Sequence, residues 1–101
     1  MAITLIDTEA YAGGTALVGY IKTNYTDLVE VFGEPRYTSS GDGKVTAEWN
    51  LEFLVDDEYV TAPIYDWKLG HTPHRTYDWH IGGSSTQAAH VVAKYMKDAN
   101  A

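Results

Sequence analysis

Hydrophobic and polar residues alternate most clearly in the middle of the chain. Apolar side chains hold every second position from Val45 to Phe53, with threonine, glutamate and asparagine between them. Because successive side chains of a strand point to opposite faces, this period of two predicts a strand with one buried face. Asp56-Asp57 predicts a hairpin turn, and the return strand is predicted from Glu58 to Trp67. Pro63 has no amide hydrogen to donate, so the return strand is expected to be bulged there or to lie at an edge.

Two short apolar segments on either side of this hairpin also predict strands. They are Leu17–Lys22 and Tyr77–Ile81. A helix is predicted over Tyr25–Phe32, because Asn24 is a good N-cap and Gly33 suits the C-terminal end.

The C-terminal segment has the pattern of a second, longer helix. Ser84-x-x-Gln87 is a capping-box pattern, which marks a helix start. An apolar stripe follows at helical spacing: Ala88, Val91, Val92, Tyr95 and Met96. The order β-α-β-β-β-α predicts an α+β fold, an antiparallel sheet with helices packed on one face.

The chain length predicts one domain. Its 101 residues fit a single core, so the domain is expected to span residues 1–101. Residues 1–15 give a weak signal in which Ile3 and Leu5 suit a strand start, and this segment is expected to be extended or loosely ordered. A cluster of turn-forming residues at 39–43 predicts a loop before the central strand.

Charge and composition narrow the classes of function. Fourteen acidic residues against seven basic ones give a net charge of −7, which repels phosphate backbones and anionic membranes. Direct nucleic-acid binding and membrane binding are therefore not expected, whereas a protein partner with a basic surface is. The chain has no cysteine, which excludes disulfides and thiolate metal sites and fits a reducing cytoplasm. No apolar run approaches the roughly 20 residues that span a bilayer.

A near-repeat, Tyr65-Asp66-Trp67 and Tyr77-Asp78-Trp79, is the most informative motif. If the two segments form a hairpin centred on Thr72, Tyr65 lies opposite Trp79 and Trp67 lies opposite Tyr77. All four rings then share one face of the sheet. They either cover the core beneath the C-terminal helix or form a binding platform.

The same pairing places Asp66 opposite Asp78 on the other face, near Lys68 and His80. Facing carboxylates repel unless a cation, a shared proton or water intervenes. Three interpretations remain open: a general acid–base pair, a receptor for a partner's arginine, or a solvated face with ion pairs.

The sequence His80-Ile81-Gly82-Gly83-Ser84-Ser85 leads into the last helix. Free backbone amides at a helix start suit a carboxylate or phosphate, although a Gly-Gly link before a capped helix needs no ligand. His71 and His74 offer two imidazoles but no clear third metal ligand. No nucleophile–base pattern is visible, so we predict no catalytic residue, metal or cofactor, and no enzyme.

Several short motifs together resemble a group of small proteins from tailed bacteriophages. The resemblance covers residues 17 to 95 and is carried by these motifs: Leu17-Val18-Gly19-Tyr20, Phe32-Gly33-Glu34-Pro35, Ala47-Glu48-Trp49, Ile64-Tyr65-Asp66-Trp67-Lys68 and Trp79-His80-Ile81-Gly82-Gly83. It implies expression in a bacterial cytoplasm during infection, where small accessory phage proteins commonly disarm host defences. It assigns no role to any residue.

The leading hypothesis is a non-enzymatic counter-defence protein that inhibits a host immune effector, such as a CRISPR-type nucleic-acid-guided complex whose basic channel attracts an acidic protein. The contacting carboxylates would be Asp66, Asp78, Glu48, Glu52, Asp56 and Asp57. The first alternative is a sponge for a small cyclic nucleotide. Its ligand-binding residues would be Tyr65, Trp67, Tyr77, Trp79, His80, Gly82, Gly83, Ser84, Ser85 and Arg75. A structural or regulatory phage protein is the second alternative, and a homo-oligomer through an edge near Pro63 is compatible with all three.

Overall fold

The computed structural model describes residues 2–37, 45–69 and 71–99, and these residues form one sheet and two helices. Within them the elements are β1 (Ile3–Asp7), β2 (Ala16–Thr23), α1 (Tyr25–Phe32), β3 (Arg36–Tyr37), β4 (Ala47–Val55), β5 (Glu58–Tyr65), β6 (Tyr77–Gly83) and α2 (Gln87–Ala99). The strands lie in the order β1-β4-β5-β6-β2, the short β3 also pairs with β4, and every strand pair is antiparallel. The predicted α+β class is confirmed, with β1 and β3 as additions.

The β4–β5 hairpin follows the alternation that the sequence predicts. Every second residue of β4 is buried from Ala47 to Val55. Val55 pairs with Glu58, so Asp56 and Asp57 alone form the turn, with φ angles of 47° and 73°. Positive φ at both central residues is typical of the tight turns that match the twist of a hairpin.

Helix α1 begins and ends where local signals predict, whereas α2 begins at Gln87, later than the capping-box pattern at Ser84 predicts. The Asn24 side chain accepts a hydrogen bond from the Asp27 amide at 2.8 Å, and Gly33 ends α1 with a φ of 86°. At the start of α2 the Ser85 hydroxyl, and not that of Ser84, accepts a bond from the Gln87 amide. The described helices include none that is both long and apolar enough to cross a membrane.

A single core lies between the helices and one face of the sheet. Residues of α1, α2, β4, β5 and β6 belong to one buried cluster, and the Phe32 ring of α1 stacks on Tyr95 of α2 at 5.7 Å. Each large apolar side chain buried in this way contributes about 1.5–3 kcal/mol. The helices therefore cover one face of the sheet, and we call the face away from the helices the open face.

The return strand β5 lies inside the strand order of the sheet and shows no bulge against β4 at Pro63, but up to Pro63 its other side is not paired with β6, so the expected edge exists there locally. It pairs with β4 along its whole length and with β6 through Ile64 and Tyr65 only. The ladder to β6 thus begins immediately after Pro63, whose nitrogen has no hydrogen to donate. A side chain at Gly82 would place its Cβ 2.8 Å from the Pro63 ring, so glycine lets β6 pass close to it.

The first 15 residues contribute a strand and a crossing segment. Strand β1 pairs with β4, and the Ala10 amide donates to the Asn50 carbonyl at 2.9 Å. Because β1 and β2 lie at opposite edges of the sheet, residues 8–15 cross it, and Ala12 and Thr15 reach the open face beside Pro63. The turn predicted at residues 39–43 lies outside the described residues.

Candidate functional site

The two Tyr-Asp-Trp segments do not form the predicted hairpin: β5 and β6 pair at two positions only, and the register there is shifted by one residue. Tyr65 pairs with His80, and Ile64 pairs with Ile81. A shift of one residue moves a side chain to the other face of a sheet. Trp79 is therefore in the core with 0% of its surface exposed, while Tyr65 faces away from the helices. The prediction that four rings share one face is wrong, because burial of the two isoleucines sets the register.

The predicted Asp66–Asp78 pair is also absent. Asp66 is fully buried and accepts hydrogen bonds from the Thr46 amide at 2.8 Å, the Thr46 hydroxyl at 2.5 Å and the Ala47 amide at 3.1 Å. Asp78 is exposed on the open face, opposite Lys22 of β2. The acid–base, arginine-receptor and solvated-face interpretations all required both carboxylates on one face, so all three are wrong. Asp66 instead fastens the start of β4 to the loop after β5.

A row of polar and aromatic residues crosses the open face through four strands. Glu48 of β4 lies opposite Tyr65 of β5, Tyr65 lies opposite His80 of β6, and His80 lies opposite Tyr20 of β2. The His80 ring is 4.9 Å from the Tyr20 ring and 5.5 Å from the Tyr65 ring. Trp67, just beyond β5, lies 6.3 Å from Tyr65 and 6.4 Å from His80. We call Tyr20, Tyr65, Trp67 and His80 the ring surface.

The ring surface is partly buried, and this burial favours the neutral forms of His80 and Tyr65. Burial lowers the pKa of the His80 imidazole, more than the nearby Asp78 backbone and Asp66 carboxylate raise it. Its Nδ1 atom is buried and has no hydrogen-bond partner among the described residues. Burial also raises the pKa of the Tyr65 phenol. The rings therefore offer neutral π faces, which attract cations better than an imidazolium would.

One cation of the chain already rests on this surface. The Lys68 ammonium lies 5.7 Å from the centre of the Trp67 ring, and 38% of Trp67 remains exposed. The Trp67 amide donates a hydrogen bond to the Tyr77 hydroxyl at 3.2 Å, which orients the chain as it leaves β5. A depression of about 260 Å³ adjoins Tyr65 and Trp67, with Glu48 on its wall and the crossing segment at its rim.

The other predicted contact carboxylates do not lie together. Glu48 and Glu52 are on the open face, where they pair with Tyr65 and Thr61 of β5. Asp56 and Asp57 are exposed in the hairpin turn, about 25 Å from Glu48 at a rise of about 3.3 Å per residue. Asp66 is inside the protein. Only Glu48, Glu52 and Asp78 could therefore serve one partner on the open face.

The predicted nucleotide-binding residues are likewise dispersed. Trp79 is in the core, so it cannot stack on a base. Gly82 and Gly83 belong to β6 and pair with β2, which commits part of their backbone to the sheet. Ser84 and Ser85 are exposed between β6 and α2, at the opposite end of β6 from Tyr77. Arg75 lies in the loop before β6. Of the predicted set, Tyr65, Trp67 and His80 come together, with Tyr77 beside them.

Sequence patterns missed Tyr20 as a site residue. It lies in a short apolar segment and is 57% exposed, at the end of the ring surface. The sequence signal for Tyr20 was its neighbour Ile21: an apolar side chain at position 21 is expected to face the core, which turns Tyr20 to the other face.

The described residues contain no candidate metal site, because no three His, Asp or Glu side chains cluster among residues 2–37, 45–69 and 71–99.

Comparisons with known proteins do not assign the chain to a group. No known protein family, curated protein or solved structure matches it. Function is therefore inferred from the ring surface, the carboxylates near it and the net charge. Together these groups can bind a cationic side chain by ring stacking and ion pairing.

Proposed function

We propose that this is a non-enzymatic binding protein that holds basic side chains of a protein partner on its ring surface. The observation that carries the proposal is the Lys68 ammonium seated on Trp67 beside three further exposed or half-buried rings. A cation over an aromatic face gains about 0.5–2 kcal/mol, more when the site is dry. An arginine from a partner would find the same attraction over Trp67, in place of Lys68, and over Tyr65 and His80.

Charge supports a basic partner. Glu48 lies at one end of the row of residues on the open face. Asp78 lies two residues before His80 in β6 and therefore on the same face, so carboxylates flank the rings. A guanidinium can stack on a ring and pair with a carboxylate at the same time, which an ammonium does less well. The net charge of −7 adds long-range attraction that salt weakens.

The resemblance to small phage proteins guides the choice of partner. We propose that the partner is a host immune effector in the bacterial cytoplasm, with a CRISPR-type nucleic-acid-guided complex as the first candidate. Its basic nucleic-acid channel has the complementary chemistry. A nucleotide sponge has less support, because its proposed stacking and phosphate-binding residues lie apart and the net charge opposes an anion. If no immune effector binds, the alternative of a structural or regulatory phage protein is favoured.

An arginine-rich peptide tests the ring surface directly. We expect calorimetry to detect binding of an oligo-arginine peptide, with an oligo-lysine peptide of equal length binding more weakly. Trp67→Ala is expected to reduce the affinity about tenfold, as loss of one good cation–π contact would. Tyr59→Ala is the matched control, because Tyr59 is 70% exposed on the same face but lies near the hairpin turn.

The outcomes separate the general proposal from the choice of partner. Equal affinity of the Trp67 and Tyr59 variants, or binding that does not weaken with salt, would overturn the ring surface as the binding site. Peptide binding without any effect on target cleavage by purified CRISPR-type nucleases would retain the binding function and overturn that partner. Heat on mixing with cyclic nucleotides would instead favour the sponge.

A further inference from the structure

Strand β2 forms an edge of the sheet. It spans eight residues, Ala16–Thr23, and within the described part of the chain it pairs with β6 alone. The backbone donors and acceptors on its outer side are therefore available to another strand. An exposed edge of this length is a template for strand addition unless charge, proline or a bulge protects it.

The opposite edge is more strongly protected than β2, although β2 carries Lys22 and a register shift of its own. Strand β1 has five residues, an irregular register between Leu5 and Asp7, and the carboxylates of Asp7 and Glu9 beside it. Strand β2 also has a register shift, between Leu17 and Gly19, but its five following residues pair regularly. No acidic residue occurs anywhere from residue 10 to residue 26, in a chain that has fourteen.

We propose that β2 pairs antiparallel with β2 of a second copy of this chain, so that two sheets join into one. Identical strands in antiparallel register form a self-complementary, two-fold interface, which is the commonest closed arrangement for a homodimer. Two residues paired across neighbouring strands point to the same face of the sheet. In a symmetric antiparallel pair of identical strands, one residue must therefore pair with the same residue of the other copy, and the two-fold axis passes between these two residues. Near the middle of β2 that residue is Tyr20 or a neighbour.

Charge favours a second copy over a basic segment as the occupant. A basic strand from another protein would be repelled by Lys22 and would find no carboxylate along β2 to pair with. A second copy of β2 carries a single lysine and no other charge, so it is repelled less. With the axis near Tyr20, each Lys22 lies away from the other Lys22. The acid-free stretch therefore removes carboxylate repulsion at the one place where two copies of an acidic chain would touch.

The dimer would enlarge the binding site. A two-fold axis normal to the sheet keeps both open faces on the same side. Tyr20 ends the ring surface at the β2 edge, so Tyr20 of the second copy would lie beside it. Two ring surfaces would then form one continuous platform across the joined sheet, and a partner could bind both.

Oligomeric state tests the pairing without any partner. We expect sedimentation of the full chain to give twice the chain mass, with dissociation over an about hundredfold dilution. Tyr20→Lys is expected to weaken the dimer by about tenfold or more, although it reduces the net negative charge that opposes association. Tyr59→Lys makes the same change in charge at an exposed site remote from β2 and is expected to leave the dimer intact.

Hydrogen exchange of the unaltered protein provides a second measurement that does not depend on a variant folding. Amides of β2 should gain protection as concentration rises, while amides of β1 should not. A monomer at every concentration, a dimer unaffected by Tyr20→Lys, or β2 exchange independent of concentration would each overturn the proposal. A monomer that still binds the arginine peptide would leave the proposed function standing.

Discussion

At the scale of single residues, the same tripeptide has opposite roles in its two occurrences. Asp66 is fully buried and accepts three hydrogen bonds, two of them from backbone amides at the start of β4. Asp78 is exposed and opposes Lys22. The Thr46 hydroxyl also contacts that of Thr72 at 2.9 Å, so Asp66 and Thr46 link two loops. Asp66 thus contributes to stability, and Asp78 is available for binding.

Replacing each aspartate by alanine tests this difference. Asp66→Ala should lower the free energy of unfolding by about 3 kcal/mol, because a buried amide, a partly buried amide and the Thr46 hydroxyl would lose their acceptor. Asp78→Ala should change it by no more than about 0.5 kcal/mol, as is usual for an exposed site. Urea denaturation measures both. Equal losses in the two variants would contradict the assignment.

At the scale of elements, the β4–β5 hairpin is the most predictable unit. Its alternation and its two-residue turn follow from local sequence, and the structure confirms them. The return strand is shorter than predicted, because β5 ends at Tyr65 and not at Trp67. The turn nevertheless uses two aspartates at positive φ, where glycine is preferred. Asp56 has an additional role, because its carboxylate accepts a hydrogen bond from the Ala2 amide at 3.1 Å.

Asp57→Gly is therefore expected to stabilise the protein. Glycine adopts a φ of 73° without the steric cost of a Cβ, so the free energy of unfolding should rise by about 0.5–1 kcal/mol. Asp56→Gly is the control, since it relaxes a similar angle but removes the bond to Ala2 and should gain less. Thermal denaturation compares the two. A loss of stability in Asp57→Gly would show that the turn does not have this geometry.

At the scale of the whole molecule, one sheet separates its aromatic residues between two environments. Trp49 and Trp79 meet edge to face at 5.4 Å within the core, and Trp67 lies on the opposite side of the sheet. The hydrophobic side of the sheet therefore supplies stability and the open side supplies the candidate site. We therefore expect the fluorescence of Trp67 to differ from that of Trp49 and Trp79.

Fluorescence quenching checks that separation. Acrylamide should quench one accessible component of the emission of the native protein, because one tryptophan of the three is 38% exposed and the others are 1% and 0% exposed. Trp67→Phe should remove that component and leave blue-shifted emission that acrylamide barely quenches. A quenchable fraction that survives the substitution would place Trp49 or Trp79 at the surface and contradict the observed register.

Local sequence determined the helices, the caps of α1, the central hairpin and the α+β class, because hydrophobic periodicity, capping side chains and turn residues act over a few neighbours. It also determined the acidic net charge. The contacts among Tyr65, Trp67 and His80 depend on the pairing of β5 with β6, so the tertiary structure decided them. Only the tertiary structure decided which faces they occupy, since pairing Ile64 with Ile81 shifts β6 by one residue and sends Trp79 into the core. The row from Glu48 to Tyr20 likewise depends on four strands distant in sequence, and their order is set by packing on a common core.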